Sequence, residues 1–214
     1  MMITIESAIE QSKNKNSITK HTSTKCFDFG EYVLLLYKRE NKYGLAREDA
    51  ELAMEGANRL ADLGVNTPRY YAIKRVKDVD FNYCYILQDK AKGKQCQEIH
   101  DYDEIIAIPQ EHYDKLAFDL CALKNMGTEA SNISNLFYDS ESGFWIIDLS
   151  PGIWYAKTMT DEQALEGMID FYVYNALFFE YPEDSEIGKQ LAQIEETKRN
   201  QAIENYMNRK NRTR

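Results

Sequence analysis

The pattern of hydrophobic and polar positions changes near residue 90 of the chain. Before that point, short apolar runs separated by polar turns predict strands. Residues 25–40 predict two strands joined at Gly30-Glu31, and the second is apolar on both faces from Tyr32 to Tyr37, as in a covered central strand. Residues 1–20 are polar and predict a short helix or a flexible arm.

A helical stretch runs from Leu45 to Leu63, is rich in Ala, Leu and Glu, and ends at Gly64. Two more strands are predicted after Pro68, with a polar turn near residues 78–82. The last of these strands is "YCYILQD".

Beyond residue 90 the apolar positions follow a helical period. The first helix carries an apolar stripe with helical spacing, formed by Tyr113, Leu116, Ala117, Leu120 and Leu123. A hairpin follows, with predicted strands Leu136 to Asp139 and Phe144 to Asp148. A buried helix then begins at a possible capping box formed by Thr160 and Gln163.

The order of elements predicts an α+β protein in two lobes. A last amphipathic helix is predicted from about Ser185 to Met207. The predicted domains are an N-terminal arm, an N-lobe with an antiparallel sheet and one helix, and a helical C-lobe that contains the hairpin. Their ranges are 1–20, 21–90 and 91–214.

Composition narrows the class of protein. The chain has 214 residues, 43% of them hydrophobic, which is enough for a core. Its net charge of −9 argues against a nucleic-acid partner. Its basic C-terminal end fits the helix dipole better than a binding arm, which stays the alternative. No apolar run approaches the roughly 20 residues of a membrane span. The three histidines, which lie in polar segments, are predicted to be surface residues.

Cysteine usage points to a compartment. The four cysteines form no Cys-x-x-Cys pair and have no histidine at zinc-ligand spacing. A reducing compartment fits this best, so a cytoplasmic protein is the default expectation. Export into another cell without disulfides stays open.

Two polar residues stand at the ends of the predicted hairpin. Asn135 precedes its first strand and Asp148 closes its second, so pairing of the strands brings the two together. An amide oxygen beside a carboxylate is a hard oxygen site that suits Mg²⁺. On spacing alone, the simpler interpretation is that Asn135 caps a turn and Asp148 begins a loop.

Lys38 stands at the end of the predicted central strand. A buried ammonium without a partner is costly, and the following helix offers Glu48, Glu51 and Glu55 as partners. The alternative is a surface lysine just past the end of the strand.

Together these features resemble the protein-kinase-like superfamily. "YVLLLYK" is similar to the strand that carries the phosphate-binding lysine, which gives that role to Lys38. "YCYILQDKAKGK" is similar to the strand and hinge that hold adenine. The resemblance makes Gln88 the gatekeeper and implies that the backbone of Asp89 and Ala91 hydrogen-bonds the base. Glu55 is the expected ion-pair partner of Lys38, with Glu51 as the rival.

The hairpin "NLFYD…GFWIIDLS" resembles the end of the kinase catalytic loop and the metal-binding segment. The resemblance implies ATP and Mg²⁺ as cofactors, with Asn135 and Asp148 as the Mg²⁺ ligands. It also suggests Asp170, in the buried helix, as the acid that braces the catalytic loop. The resemblance covers roughly residues 20 to 180.

Two departures bear on catalysis. The expected phosphate-covering loop, "ITKHTSTK", contains no glycine. The position of the family's catalytic aspartate, five residues before Asn135, is Ala130. Glu129 is the expected substitute for the base, whereas Ser131 and Asn132 could only orient a nucleophile. General-base catalysis is worth about 10²–10⁴-fold, so its loss slows transfer without excluding it.

Three functions remain open. The first is a small kinase that transfers phosphate from ATP to a hydroxyl of a protein or small molecule, similar to the reduced effector kinases of some bacteria. The second is a pseudokinase that acts as a binding or regulatory module, with a nucleotide as partner and a protein as a further candidate partner. The third is an unrelated α+β scaffold.

Overall fold

The computed structural model describes most of the chain, namely residues 3–18, 24–40, 47–77, 80–130, 135–151, 159–178, 180–182 and 184–212. It divides into two compact units. The first comprises Met1–Arg59 and Pro68–Lys90, and the second comprises Leu60–Thr67 and Ala91–Arg214. The short segment 60–67 therefore belongs to the second unit, although the chain on both sides of it belongs to the first.

The first unit is a four-stranded antiparallel sheet with two helices. Its elements are α1 (Ile5–Ser12), β1 (Thr24–Asp28), β2 (Tyr32–Glu40), α2 (Arg47–Asp62), β3 (Tyr70–Lys77) and β4 (Phe81–Asp89). The strand order is β1-β2-β4-β3. The predicted strands are confirmed, and β2 is a central strand as its apolar sequence indicates. Gly30, at the turn between β1 and β2, has a φ of +84°, which glycine adopts without strain.

Helix α1 packs on one face of this sheet. Thr4 caps its N-terminus, accepting a hydrogen bond from the Ser7 amide at 3.3 Å. Ile5 and Ala8 are buried against Phe27, Leu34 and Leu87 of the strands. This N-terminal segment is thus a helix that completes the core of the first unit.

Two neighbouring residues of β3 identify the opposite faces of the sheet. The Nζ of Lys74 lies 3.2 Å from a carboxylate oxygen of Glu6 in α1. An Nη of Arg75 lies 3.4 Å from a carboxylate oxygen of Glu51 in α2. Successive side chains of a strand point to opposite faces, so α1 and α2 cover different faces of the sheet.

The second unit is mostly helical. After the short strand β5 (Lys94–Gln95) come helices α3 (Tyr102–Ile106) and α4 (Gln110–Met126). Four strands follow, and then the helices α5, α6 and α7. The strands are β6 (Thr128–Ala130), β7 (Leu136–Asp139), β8 (Gly143–Ile146) and β9 (Leu149–Pro151). The helices are α5 (Asp161–Ile169), α6 (Asn175–Leu177) and α7 (Glu186–Arg212).

Helix α4 is the centre of the second unit. Its predicted apolar stripe is confirmed, since all five residues are buried, namely Tyr113, Leu116, Ala117, Leu120 and Leu123. The predicted capping box at the start of α5 is also confirmed: the Thr160 hydroxyl accepts from the Gln163 amide at 3.2 Å. A π-helical turn, Asp170–Tyr174, separates α5 from α6.

Buried polar contacts help to attach helix α7 to α4 and α5. The buried Asp161 carboxylate accepts from Lys124 at 2.6 Å and also from Lys210 near the end of α7. Burial alone would raise the pKa of Asp161, but the hydrogen bonds from the two lysines lower it to about 2. The carboxylate is therefore ionised at neutral pH and holds the end of α7.

The four cysteines are buried free thiols. Within the described ranges, no helix is both long and apolar enough to cross a membrane.

Candidate active site

The hairpin β7–β8 places Asn135 and Asp148 at the same end. Its register pairs Leu136 with Ile146 and Asp139 with Gly143. The pairing continues for one more step, because the Ile147 N–H donates to the Asn135 carbonyl oxygen at 2.9 Å. Asp148 is the next residue after Ile147. The two predicted metal ligands therefore lie at the same open end of the hairpin, one step apart in the strand register.

The side-chain amide of Asn135 includes a nitrogen that has no hydrogen-bond partner among the described residues. Asn135 is 8% exposed. Among the described residues, its buried Nδ2 has no hydrogen-bond partner. An unsatisfied buried polar group costs about 1–3 kcal/mol. Rotation of the amide exchanges its oxygen and nitrogen, so the group could present an oxygen to a cation. Together with the carboxylate of Asp148 this donor set fits Mg²⁺.

Asp148 has an unusual backbone conformation. Its φ of +53° makes it the one non-glycine residue with positive φ in the part of the chain that is described. This left-handed conformation is uncommon outside glycine, although aspartate and asparagine tolerate it best. The side chain of Asp148 is exposed. Backbone strain of this kind concentrates at functional sites and can indicate one.

The strand before the catalytic-loop position pairs with the strand that follows Asp148. In the antiparallel pair β6–β9, Glu129 lies opposite Ser150 and Ala130 lies opposite Leu149. The backbone of the predicted base is thus close in register to Asp148. The predicted orienting residues 131 and 132, and the glycine-free loop as far as residue 23, lie outside the described residues.

Lys38 lies on the face of the sheet that α1 covers. Tyr32, Leu34 and Leu36, which alternate with it along β2, pack against the α1 cluster. The Lys38 Nζ is 3.7 Å from the centroid of the Phe81 ring. Because α2 covers the other face, the strand directs Lys38 away from the helix that was expected to supply its glutamate.

The predicted ion pair is replaced by two others. No ion pair joins Lys38 to Glu55 in the described part of the chain; instead, Glu55 pairs with Arg59 one turn later in α2, at 2.6 Å. The rival, Glu51, pairs with Arg75 of β3. The sequence did not single out Arg75, because the register that brings β3 alongside β4 decides which cation shares a face with α2. The side chain of Glu48 lies outside the described residues.

The predicted adenine-binding residues lie at the end of β4 and just after it. Gln88 is buried, and in the described structure its Oε1 has no hydrogen-bond partner. The Asp89 N–H donates to the Arg69 carbonyl at 2.9 Å, so this amide is already used within the first unit. The Asp89 carboxylate accepts from the Tyr71 hydroxyl at 2.7 Å. Burial and this bond raise the pKa of Tyr71 to about 12. Ala91 is the first residue of the longer segment of the second unit, Ala91–Arg214.

A residue that the sequence analysis missed holds the outer edge of the hairpin. Asn66 donates from Nδ2 to the carbonyl oxygens of Ser142, at 2.7 Å, and Phe144, at 3.1 Å. Its own carbonyl accepts from the Ile146 N–H at 2.9 Å. The only signal in the sequence is an asparagine between Gly64 and Pro68, which reads equally well as an ordinary turn residue.

Two other expectations change. His112 is buried, not at the surface, and its Nδ1 lies 3.1 Å from the Tyr138 hydroxyl. His100 is exposed as expected. Asp170 accepts from Arg199 of α7 at 2.8 Å. The loop that Asp170 was expected to brace lies outside the described residues.

Among the described residues, no group of three or more acidic, histidine or cysteine side chains could hold a metal ion. The pair formed by Asn135 and Asp148 is smaller than such a cluster. Mg²⁺ commonly binds through one or two protein groups together with substrate phosphates and water.

No protein-family model matches the sequence, and no curated protein matches it. Among solved structures, the chain is similar to the kinase PK-1 of the Cydia pomonella granulovirus. The TM-score is 0.52 at 14% identity, over 85% of this chain and 78% of the viral kinase. It is also similar to WbdD in complex with the kinase inhibitor LY294002, with a TM-score of 0.45 at 15% identity. That match covers 86% of this chain but only 45% of WbdD.

At this level of identity, the likeness to the viral kinase concerns the fold alone. The fold is α+β and kinase-like, as predicted from the sequence. The roles of individual residues stay predictions.

Proposed function

We propose that this protein binds a magnesium–nucleotide complex and transfers phosphate slowly or not at all, so that it acts mainly as a binding or regulatory module. Asn135 and Asp148 are the proposed metal ligands. The observation that carries the proposal is the hairpin end, where Asn135 lies opposite Ile147, the residue before Asp148, and has a buried Nδ2 without a hydrogen-bond partner among the described residues. Bound Mg²⁺ would neutralise phosphate charge at that position.

The position of Lys38 in the sheet supports weak catalysis. Phosphoryl transfer depends on positioned cations that stabilise the transferring phosphate. Lys38 lies on the α1 face of the sheet, and Glu51 and Glu55 of α2 pair with arginines instead. The alanine at position 130 also lacks a group that could accept a proton. Both features favour binding over turnover.

Slow transfer to a hydroxyl of a protein or small molecule is the second candidate. The pairing of β6 with β9 favours it, since it keeps the backbone of Glu129 next to the strand that follows Asp148. In that case Glu129 is the proposed general base. For nucleotide binding, Gln88 and the backbone of Asp89 and Ala91 remain the proposed adenine contacts, with Asp89 contributing its carbonyl because its N–H already donates to Arg69.

The test is a titration of ATP, with and without Mg²⁺, followed by melting temperature and by calorimetry. A ligand that binds only the folded protein raises the melting temperature. We expect Mg²⁺ to strengthen ATP binding in the wild type. Asp148→Gly should remove that metal-dependent part and keep the backbone conformation, because glycine adopts a φ of +53° without strain.

Asp148→Asn is the matched control, because asparagine tolerates the same backbone conformation and keeps one oxygen ligand. It should bind Mg²⁺ more weakly than the wild type but more tightly than the glycine variant. Wild-type protein that shows no response to millimolar nucleotide would contradict the proposed function. Full metal dependence in Asp148→Gly would contradict the assigned ligand.

A further inference from the structure

Asn66 occupies the position of an additional strand at the edge of the hairpin sheet. The three-stranded sheet has the order β5-β7-β8, so β8 is an outer strand. Asn66 satisfies three of its polar backbone groups, namely the carbonyls of Ser142 and Phe144 and the N–H of Ile146. A single loop residue therefore covers an edge that would otherwise need water or another strand.

The contacts of Asn66 alternate with those that hold the metal-site end of the hairpin. In an antiparallel ladder, successive residues point their N–H and C=O groups in opposite directions. Ile147 points inward and donates to the Asn135 carbonyl, whereas Phe144 and Ile146 point outward to Asn66. Asn66 thus fixes the strand from the side opposite to Asn135.

Asn66 is itself fixed by helix α4. Its N–H donates to Oδ2 of Asp119 at 3.2 Å. Asp119 is fully buried, and its other oxygen accepts from Lys115 one turn earlier. The Lys115 Nζ also donates to the Gly64 carbonyl at 2.8 Å. The loop before β3 is therefore held at two points by one ion pair of α4.

We propose that Asn66, anchored by Asp119, is a positioning residue that sets the spacing of Asn135 and Asp148 for the bound cation. Its part in metal binding rests on the proposed function, whereas its hold on the hairpin does not. Residues that orient metal ligands from behind typically change metal affinity about 10–100-fold when they are replaced.

The test compares Asn66→Ala with Gln110→Ala. The first variant removes the two side-chain bonds to β8 and keeps the backbone bond. The second removes two bonds of similar length between α4 and α7, from Nε2 of Gln110 to Asp114 at 3.0 Å and to the Lys198 carbonyl at 2.9 Å. Both should lower the melting temperature.

Two measurements separate positioning from general destabilisation. Hydrogen exchange at the Ile147 amide reports the hairpin end without any ligand. A Mg²⁺ titration in the presence of ATP, with an EDTA series for metal-free binding, reports the site. We expect Asn66→Ala to speed exchange at Ile147 and to weaken Mg²⁺ binding about tenfold, with metal-free ATP binding unchanged. Gln110→Ala should leave all three values as in the wild type.

Asn66→Ser, which keeps one donor, should recover part of both effects and replaces the alanine variant if that protein does not fold. Unchanged exchange at Ile147 in Asn66→Ala, or an equal change in Gln110→Ala, would overturn the inference. Faster exchange combined with unaltered Mg²⁺ affinity would also overturn it, since spacing would then not matter to the cation. If wild-type protein shows no metal-dependent ATP binding, the proposed function fails, and exchange at Ile147 alone decides whether Asn66 holds the hairpin.

Discussion

The hairpin β7–β8 has both polar residues that the sequence predicts for a cation, Asn135 and Asp148, at one end. The central strand β2, in contrast, directs Lys38 to the face of the sheet opposite helix α2, which was expected to supply its ion-pair partner. At the hairpin, one backbone hydrogen bond of 2.9 Å holds Asn135 opposite the residue before Asp148. On β2, Lys38 lies over Phe81 while α2 forms its ion pair with Arg75. Two regions expected to hold the same ligand thus differ in what they retain.

The two regions differ in how far apart in the chain their required residues lie. A cation site at a hairpin end needs two side chains that the local turn already brings together. A lysine that orients phosphate must also share a sheet face with its glutamate, which depends on register across several strands. The first arrangement is local and the second is not. The pair of polar residues at the hairpin end therefore depends on local pairing, whereas the face that Lys38 joins depends on the register of the whole sheet.

Efficient phosphate transfer would contradict this difference between the hairpin and β2, so the first prediction concerns the rate of that transfer. If turnover is measured with ATP and Mg²⁺, Glu129→Gln should lower its rate by about a hundredfold or more, because glutamine cannot accept the proton. Glu111→Gln, an exposed change in the first turn of α4, is the control and should leave the rate unchanged. A single-turnover assay measures both. An unaltered rate in Glu129→Gln would remove Glu129 from the reaction.

The buried carboxylate behind the hairpin makes a second prediction. Burial raises the pKa of Asp119 from 3.8 to about 6, although Lys115 and the Asn66 amide act against it. Between these values the folded protein holds the proton more firmly than the unfolded chain does. The free energy of unfolding should therefore fall as the pH rises from 4 through 6, by up to about 3 kcal/mol from this group.

Asp119→Asn should reduce the fall in the free energy of unfolding between pH 4 and 6, because asparagine does not titrate. Urea denaturation at several pH values from 4 to 7 measures it. Glu195→Gln is a useful second variant, since burial raises the pKa of Glu195 from 4.5 to about 7. Its removal should flatten the curve mainly above pH 5. The same slope below pH 6 in Asp119→Asn and wild type would show that Asp119 does not titrate in this range.

The variant Lys38→Ala tests whether the lysine of β2 takes part in nucleotide binding, and we expect its effect on stability and affinity to be small. An exposed lysine over an aromatic ring contributes about 0.5–1 kcal/mol, so stability should change by no more than that. The affinity for ATP and Mg²⁺, measured by calorimetry, should change less than about threefold, since the Lys38 Nζ lies over the Phe81 ring on the α1 face of the sheet. Lys74→Ala removes an equal charge from the same face and serves as the control. A tenfold loss of affinity in Lys38→Ala alone would return this residue to the phosphate site.

Much of the fold could be predicted because its signals are local. The apolar stripe of α4, the capping box of α5 and the turn at Gly30 depend on residues a few positions apart. The hairpin belongs to the same group, since its strands are separated only by a tight turn. The burial of His112 could not be predicted, because its partner Tyr138 comes 26 positions later in the chain.

The sequence alone was enough to predict the main helices, the strands of the N-terminal sheet and of the hairpin, their kinase-like order, and the pair of oxygen-bearing residues at the hairpin ends. These depend on hydrophobic period and turn chemistry, which short segments carry. Only the tertiary structure decided which face of the sheet Lys38 joins, which cation pairs with α2, and that Asn66 holds the edge of β8. Those outcomes depend on strand register and on contacts between distant segments, because shifting a strand by one residue exchanges its two faces.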